Sequence, residues 1–274
     1  MGAWLASLSL ATLMLVVAGY YIGLSALASA LGFLAERALP RRRIWDVPLA
    51  RGQYGFELLG NLKFLAVQLP IATAFLHFGW LRFGEGSALL TFVGMYFGFQ
   101  LYYYGLHRAL HHRALIRFHR WHHRSRVTTP LSGQSMGYVE ALGYAVGYFA
   151  IPALCAQLGD ASPIVAEGWL AYLTFNIFGN IFGHANVELG PRTTTWRLVS
   201  IFQPPYVYHA LHHARWLGHY GFASTGLDRV FRSEFADWRE LHARVLGGAS
   251  LPSLKFRGAG EPPPRGAGHG PHGD

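Results

Sequence analysis

The chain has 274 residues, of which 51% are hydrophobic and only 14% charged. A soluble domain carries about 25% charged residues, so a fully water-facing surface is excluded. The formal net charge of +9 does not mark a nucleic-acid binder, because 21 of the 23 Lys and Arg residues lie in three segments beside apolar runs: five in 36–52, six in 107–126 and ten from Arg192 onward. Lys63 and Arg82 are the other two, and the distribution follows the positive-inside pattern of membrane proteins.

In chain order, Met1 to Ala35 carries no charge. The stretch is too long for a signal-peptide core and lacks a basic start, so it reads as a membrane span. A spanning helix needs about 20 apolar residues, and the apolar runs predict spans over 5–34, 56–80, 87–106, 138–158 and 168–184. Arg41-Arg42-Arg43 follows the first span and is expected to be cytoplasmic. The tips 81–86 and 159–167 hold one basic residue, Arg82, and are expected outside. This topology puts the N-terminus outside, the C-terminus inside and the histidine clusters on the cytoplasmic face. Glu57, Asn61 and Lys63 weaken the second span and are expected at its cytoplasmic mouth, with Lys63 reaching the headgroups. Cys155, the single cysteine, can form no intrachain disulfide. Residues 258–274 are rich in Gly and Pro and are expected to be a disordered tail, so His269 and His272 are discounted as ligands.

The chemistry lies in the histidines. His107 and His111 read H-x-x-x-H. His119, His122 and His123 read H-x-x-H-H, and so do His209, His212 and His213, with His184 alone between the last two clusters. On a helix, spacings of three and four share a face, and segment 107–123 is expected to be a helix leaving the membrane. His112 is about 100° around that helix from His111 and is expected at its surface. A basic interfacial helix would explain the arginines of 107–123 but not a second H-x-x-H-H more than 80 residues later. Nine imidazoles exceed the roughly four ligands of one zinc and suffice for two metal ions. The residues beside the ligands are Arg108, Arg120 and Ala210, so the glutamate base of H-E-x-x-H zinc hydrolases is missing. An all-imidazole pair of sites is better matched to iron that activates dioxygen.

In this order the boxes resemble those of the fatty acid hydroxylase/sterol desaturase superfamily of membrane di-iron proteins. YYYGLHRALHH (102–112), HRWHH (119–123), FGHANVELGP (182–191) and YHALHHARWLGHYGFASTGLDRVF (208–231) carry the likeness, from about Gln100 to Trp238. The resemblance implies an all-α, multi-span transmembrane bundle with a cytosolic histidine-rich cap. It also implies two iron ions, which zinc replaces in some preparations, and ligand roles for His107, His111, His119, His122, His123, His184, His209, His212 and His213. The implied reaction is dioxygen-dependent hydroxylation or desaturation of a fatty acyl or sterol-like lipid. No cytochrome b5-like haem motif is evident, so a separate donor of ferredoxin or cytochrome b5 type, with its reductase, is expected. The setting would be a bacterial inner membrane or an ER-type membrane. The chain then divides into an N-terminal span and basic loop (1–54), a hydroxylase-like membrane domain (55–257) and the tail.

His219 stands where the family often has Asn, and is a candidate extra ligand, a neighbour of one, or a turn residue. Glu188 and Asp228 either hold ligand imidazoles through the second ring nitrogen or lie at the surface and pair with arginines such as Arg232. Two other classes are open: a zinc- or serine-dependent hydrolase, for which Gly133-Gln134-Ser135-Met136-Gly137 offers a G-x-S-x-G motif, and a non-catalytic metal carrier.

Overall fold

The computed structural model describes residues 1–158 and 163–259. Within them the chain is helical; its only β pairing is two isolated bridges, Arg43 with Val187 and Trp45 with Leu251. Residues 260–274 of the predicted tail and 159–162 of the second outer tip lie outside the described residues.

The first span divides in two. α1 (Gly2–Ser7) ends where Leu8 becomes extended, and α2 (Leu10–Ala38) restarts under Ser9, whose hydroxyl accepts from the Thr12 N–H at 3.2 Å. Capping of this kind satisfies a donor the first turn cannot. α3 (Gln53–His77) starts after left-handed Gly52 and continues through Glu57, Asn61 and Lys63. Glu57, near the start of α3, is not open to water. It is fully buried and accepts from Gln53, Ser125 and Thr129 at 2.6–2.8 Å. α4 (Ala88–Leu110) is capped by Ser87. α5 (Tyr138–Ala145) runs through a π-helical turn, Val146–Ala150, into α6 (Ile151–Cys155). α7 is Ala166–Gly183.

Three stretches are long and apolar enough to cross a membrane: Leu10–Ala38, Gln53–His77 and Tyr138–Cys155. Helices form at the other two predicted spans as well, α4 and α7, but these carry Tyr, Gly and Asn that turn inward. Tyr103, Tyr104, Asn176 and Asn180 are all buried. α4 packs on α7, α2 on both α7 and α3, and α3 on α5, enclosing a core that includes Phe64, Phe99, Tyr148, Phe149, Trp169 and Tyr172.

A second core lies beyond the ends of these helices. It is built from Ile44, Trp45, Val207, Leu211, Trp238, Leu241 and Val245, the last five on the short helices α9 (Tyr206–Arg215) and α11 (Trp238–Leu246); two more short helices, α8 (Val199–Phe202) and α10 (Gly226–Val230), lie in the same part of the chain. Arg215 clamps this cap with two bonds of 2.6 Å to the Asp237 carboxylate, both side chains being buried. Paired charges of this kind are tolerated inside because each satisfies the other.

Gly168 sets the approach of α7 to α4: a Cβ there would lie 2.2 Å from the Ala88 carbonyl oxygen, which is backbone and cannot turn away. Gly168→Val is expected to destabilise the protein by at least about 1–3 kcal/mol. Gly19→Val, where a Cβ meets nothing within 4 Å, should leave the melting temperature in detergent unchanged; equal melting of the two variants would refute the close crossing.

Candidate metal centre

The nine histidines named from the sequence converge into two groups between the bundle and the cap. His107, His111, His119, His123 and His212 form one; His122, His184, His209 and His213 form the other. Within each group, one nitrogen per residue lies within 4.8 Å of all the rest.

Their carriers differ from the helix expected over 107–123. α4 ends at Leu110, and the chain then turns through short 3-10 segments at Ile116–Phe118 and His122–Arg124. A continuous helix would place His119 about 18 Å beyond His107, whereas their Nε2 atoms are 3.1 Å apart. Folding the segment back on itself overrides its helical propensity. α9 is helical as read. On it His209 and His213, one turn apart, face the four-imidazole group, and His212 faces the five. The second box divides the opposite way, with His119 and His123 in the five and His122 in the four.

The outer nitrogens of six rings are tied down. Nδ1 of His107 donates to the Tyr220 carbonyl at 2.9 Å, His119 to Glu140 at 2.8 Å and His122 to the Ser135 carbonyl at 3.2 Å. Nδ1 of His184 donates to Asn180 O at 2.6 Å, His212 to Gly218 O at 2.7 Å and His213 to Ser125 O at 3.0 Å. An oxygen acceptor requires the proton on Nδ1, so in the neutral ring Nε2 is left with a bare lone pair. Burial, and then the neighbouring rings, hold His119, His123, His209, His212 and His213 well below the ordinary histidine value, so these rings are neutral at pH 7.

Those lone pairs face each other. The Nε2–Nε2 separations are 3.1 Å for His107–His119, 3.1 Å for His184–His213 and 3.4 Å for His122–His184. In the His184–His213 pair both outer nitrogens donate to carbonyls and burial keeps both rings neutral, so neither facing nitrogen has a proton to share and no hydrogen bond forms. A cation between two such nitrogens would use both lone pairs. Imidazoles bound at about 2.0–2.1 Å to one metal lie roughly 2.9–3.4 Å apart, as these do. The ring nitrogens of His111 and Nδ1 of His123 and His209 have no partner among the described residues. The donor set therefore fits two metal ions, and carbonyl or carboxylate acceptors behind the rings are the usual support of metal-bound histidine.

The other sequence candidates are placed differently. His219 is in neither group: its Nδ1 donates to Tyr208 O at 2.8 Å and its Nε2 accepts from Phe235 N–H at 2.9 Å. With both nitrogens in use it anchors the 218–221 loop, whose carbonyls steady His212 and His107. Asp228 touches no imidazole; it accepts from the backbone N–H groups of Tyr220 and Gly221 at 2.9 and 2.8 Å and so holds the same loop. Glu188 accepts from Gly190 and Val207 N–H at 2.7 and 2.9 Å, tying the start of α9 to the loop after α7. His112 is exposed, as read. The carboxylate that does reach a ligand candidate is Glu140, whose signal was that it is the lone acid between Gln134 and Gln157. The backbone carbonyls left no trace in the sequence.

The G-x-S-x-G motif does not make a nucleophile elbow. A 3-10 segment, Pro130–Gln134, precedes it instead of a strand. Ser135 Oγ accepts from the Trp121 indole at 3.3 Å, and it is the Ser135 carbonyl that meets a histidine.

An apolar cavity of about 530 Å³ leads to the four-imidazole group. Phe92, Phe97, Phe175, Phe202 and Phe222 line it, with His184 and His209 at its inner end. Phe97 and Phe202 are each about half exposed at its rim, on the outer side of α4 and at the end of α8.

Comparison with known proteins agrees with this geometry. Residues 92–233 match the family model described as fatty acid hydroxylase, and the chain belongs to that family. It is 36% identical over 155 residues to very-long-chain aldehyde decarbonylase GL1-6 of Oryza sativa, covering 53% of this chain and 23% of that protein. It is 33% identical over 214 residues to very-long-chain aldehyde decarbonylase CER1 of Arabidopsis thaliana, covering 75% of this chain and 31% of that one. The chain thus spans about a quarter to a third of the length of these curated relatives. No solved structure matches. The family and the three apolar helices together make this a membrane protein.

Glu140→Leu leaves the His119 Nδ1–H buried without an acceptor. It is expected to weaken metal binding at the five-imidazole group about 10- to 100-fold while sparing the four. Glu140→Gln, whose amide oxygen still accepts, should retain most of the affinity in a chelator competition; equal loss in the two variants would count against this role.

Proposed function

We propose that the chain is a membrane-bound di-iron oxygenase that uses dioxygen and an external reductant to oxidise a long lipid chain. The observation that carries this reading is the convergence of nine imidazoles, two of which, His184 and His209, line an apolar cavity. His107, His111, His119, His123 and His212 would hold one ion and His122, His184, His209 and His213 the other. Iron bound there would supply reductive activation of dioxygen. Zinc, which binds such sites more tightly than Fe(II), would be a common contaminant.

The protein's own part is to bind, orient and exclude water. The Nδ1 bonds fix each ring's tautomer and aim. The phenylalanine walls accept an alkyl chain and keep the reacting end dry. The rim between α4 and α8 opens toward lipid, so substrate enters from the bilayer. Charge distribution supports five spans, an outer N-terminus and a cytoplasmic metal centre, where a ferredoxin- or cytochrome b5-type donor has access. The substrate class is fatty acyl or a derivative of it; the relatives' names add long-chain aldehydes to the lipids worth testing.

Anaerobic reconstitution should give two iron ions per chain, and one or none would sink the proposal. His123→Ala and His213→Ala should each abolish dioxygen-dependent product formation, followed by lipid mass spectrometry. Ser135→Ala should keep activity, since it preserves the carbonyl that His122 uses; its loss with metal retained would favour a hydrolase.

Gly183 lines the cavity, and a Cβ there meets nothing within 4 Å. Gly183→Leu should fill the cavity without disturbing metal content and shift the preferred substrate to shorter chains, read as a rise in KM for long ones. Unchanged chain-length preference would place the substrate elsewhere.

A further inference from the structure

Outside the metal centre, a polar recess of about 450 Å³ is lined by Arg197, Arg229, Arg232 and Arg239 together with Thr195, Asp228 and Glu234. We propose that this recess holds the phosphate of an anionic membrane phospholipid beside the mouth of the substrate cavity.

The two carboxylates do not neutralise it. Asp228 is occupied by the Tyr220 and Gly221 N–H groups and by the Ser233 hydroxyl, 2.6 Å away. Glu234 takes Arg229 at 3.3 Å. Arg229 also donates to the Arg197 carbonyl at 2.6 Å and to Ser200, so it is structural. Arg197 and Arg232 are exposed, and neither has a carboxylate within 4.0 Å among the described residues. Arg232 holds a left-handed backbone, φ +55°, which is uncommon for a side chain of its size. Guanidinium groups suit phosphate oxygens, which accept their paired N–H groups.

What surrounds the arginines selects a lipid over a soluble acidic partner. Trp196, Leu198, Phe202, Val230 and Phe231 are each more than half exposed. Such a collar is costly in water and favourable at a headgroup boundary. Its depth agrees. The Tyr96 hydroxyl lies 2.8 Å from the Phe202 carbonyl, and Tyr96 is eleven residues before His107, roughly 16 Å along the helix. Phe231 stacks on Tyr104, in the last two turns of α4. The segment that lines the recess therefore lies along the outer face of an apolar helix, and its Phe202 also forms the cavity rim.

The test is native mass spectrometry of the detergent-solubilised protein titrated with dioleoyl-phosphatidylglycerol. Wild type should retain one tightly bound lipid. Arg197→Gln/Arg232→Gln should bind it roughly 10- to 30-fold more weakly, as loss of two interfacial charges implies. Arg51→Gln/Arg120→Gln, an equal loss of charge elsewhere, should match wild type, and Arg197→Lys/Arg232→Lys should restore much of the binding. Unchanged melting temperature and metal content exclude misfolding of the variants. Equal retention by wild type and the Gln pair overturns the proposal. Release of the lipid by millimolar inorganic phosphate also overturns it, in favour of a soluble phosphate ligand. Arginine-dependent binding of polyglutamate with no retained lipid overturns it in favour of an acidic protein surface.

Discussion

Three pairs of imidazole nitrogens are held 3.1–3.4 Å apart, and much of the molecule serves to impose that contact. Left to themselves the rings would rotate until a nitrogen found a donor. They are held because the outer nitrogens are bonded to oxygens on five separate stretches of chain: the start of α5, the last turn of α7, and the loops after Arg124, Pro130 and Trp216. The 218–221 loop shows how deep the support runs. Its carbonyls aim His107 and His212, Asp228 grips its N–H groups, and His219 stacks on Tyr208 at 3.5 Å to fix its path. Removing a ring's support therefore loosens that contact.

The bundle and cap make this possible by burying different things. The bundle buries aromatic and aliphatic surface, the main favourable term for a helical scaffold. The cap buries polar machinery, and it does so safely only where each polar atom is matched. Arg215 with Asp237, and Glu57 with Gln53, Ser125 and Thr129, are such matches, and both brace segments that carry histidines. Four of the buried nitrogens without a partner among the described residues belong to rings of the candidate metal centre, on His111, His123 and His209.

The helical fold was legible because apolar runs and basic clusters alternate along the chain, and the nine histidines because their spacing repeats. Their division into five and four was not legible: it depends on how the 111–124 segment folds back, and that follows from tertiary contacts rather than propensity. The same holds for Glu188 and Asp228. The sequence marks them as acids close to histidine boxes, but whether such an acid reaches an imidazole or a backbone N–H is decided by loop geometry. Glu140 was the converse case, an acid in an apolar stretch whose partner lies 21 residues earlier. Glu57 shows the same limit: the sequence marks a charge in a span, and the structure adds the three donors that satisfy it, Gln53, Ser125 and Thr129.

The crossed division of the two H-x-x-H-H boxes has a consequence for how the protein is made. Neither group can be completed from one part of the chain: the five-imidazole group needs His212 as well as His107, and the four-imidazole group needs His122 as well as His213. No ligand set exists in full until α9 has been synthesised and has docked, by which time the segments forming the bundle are in place. Until α9 docks, neither candidate metal site has its full set of rings.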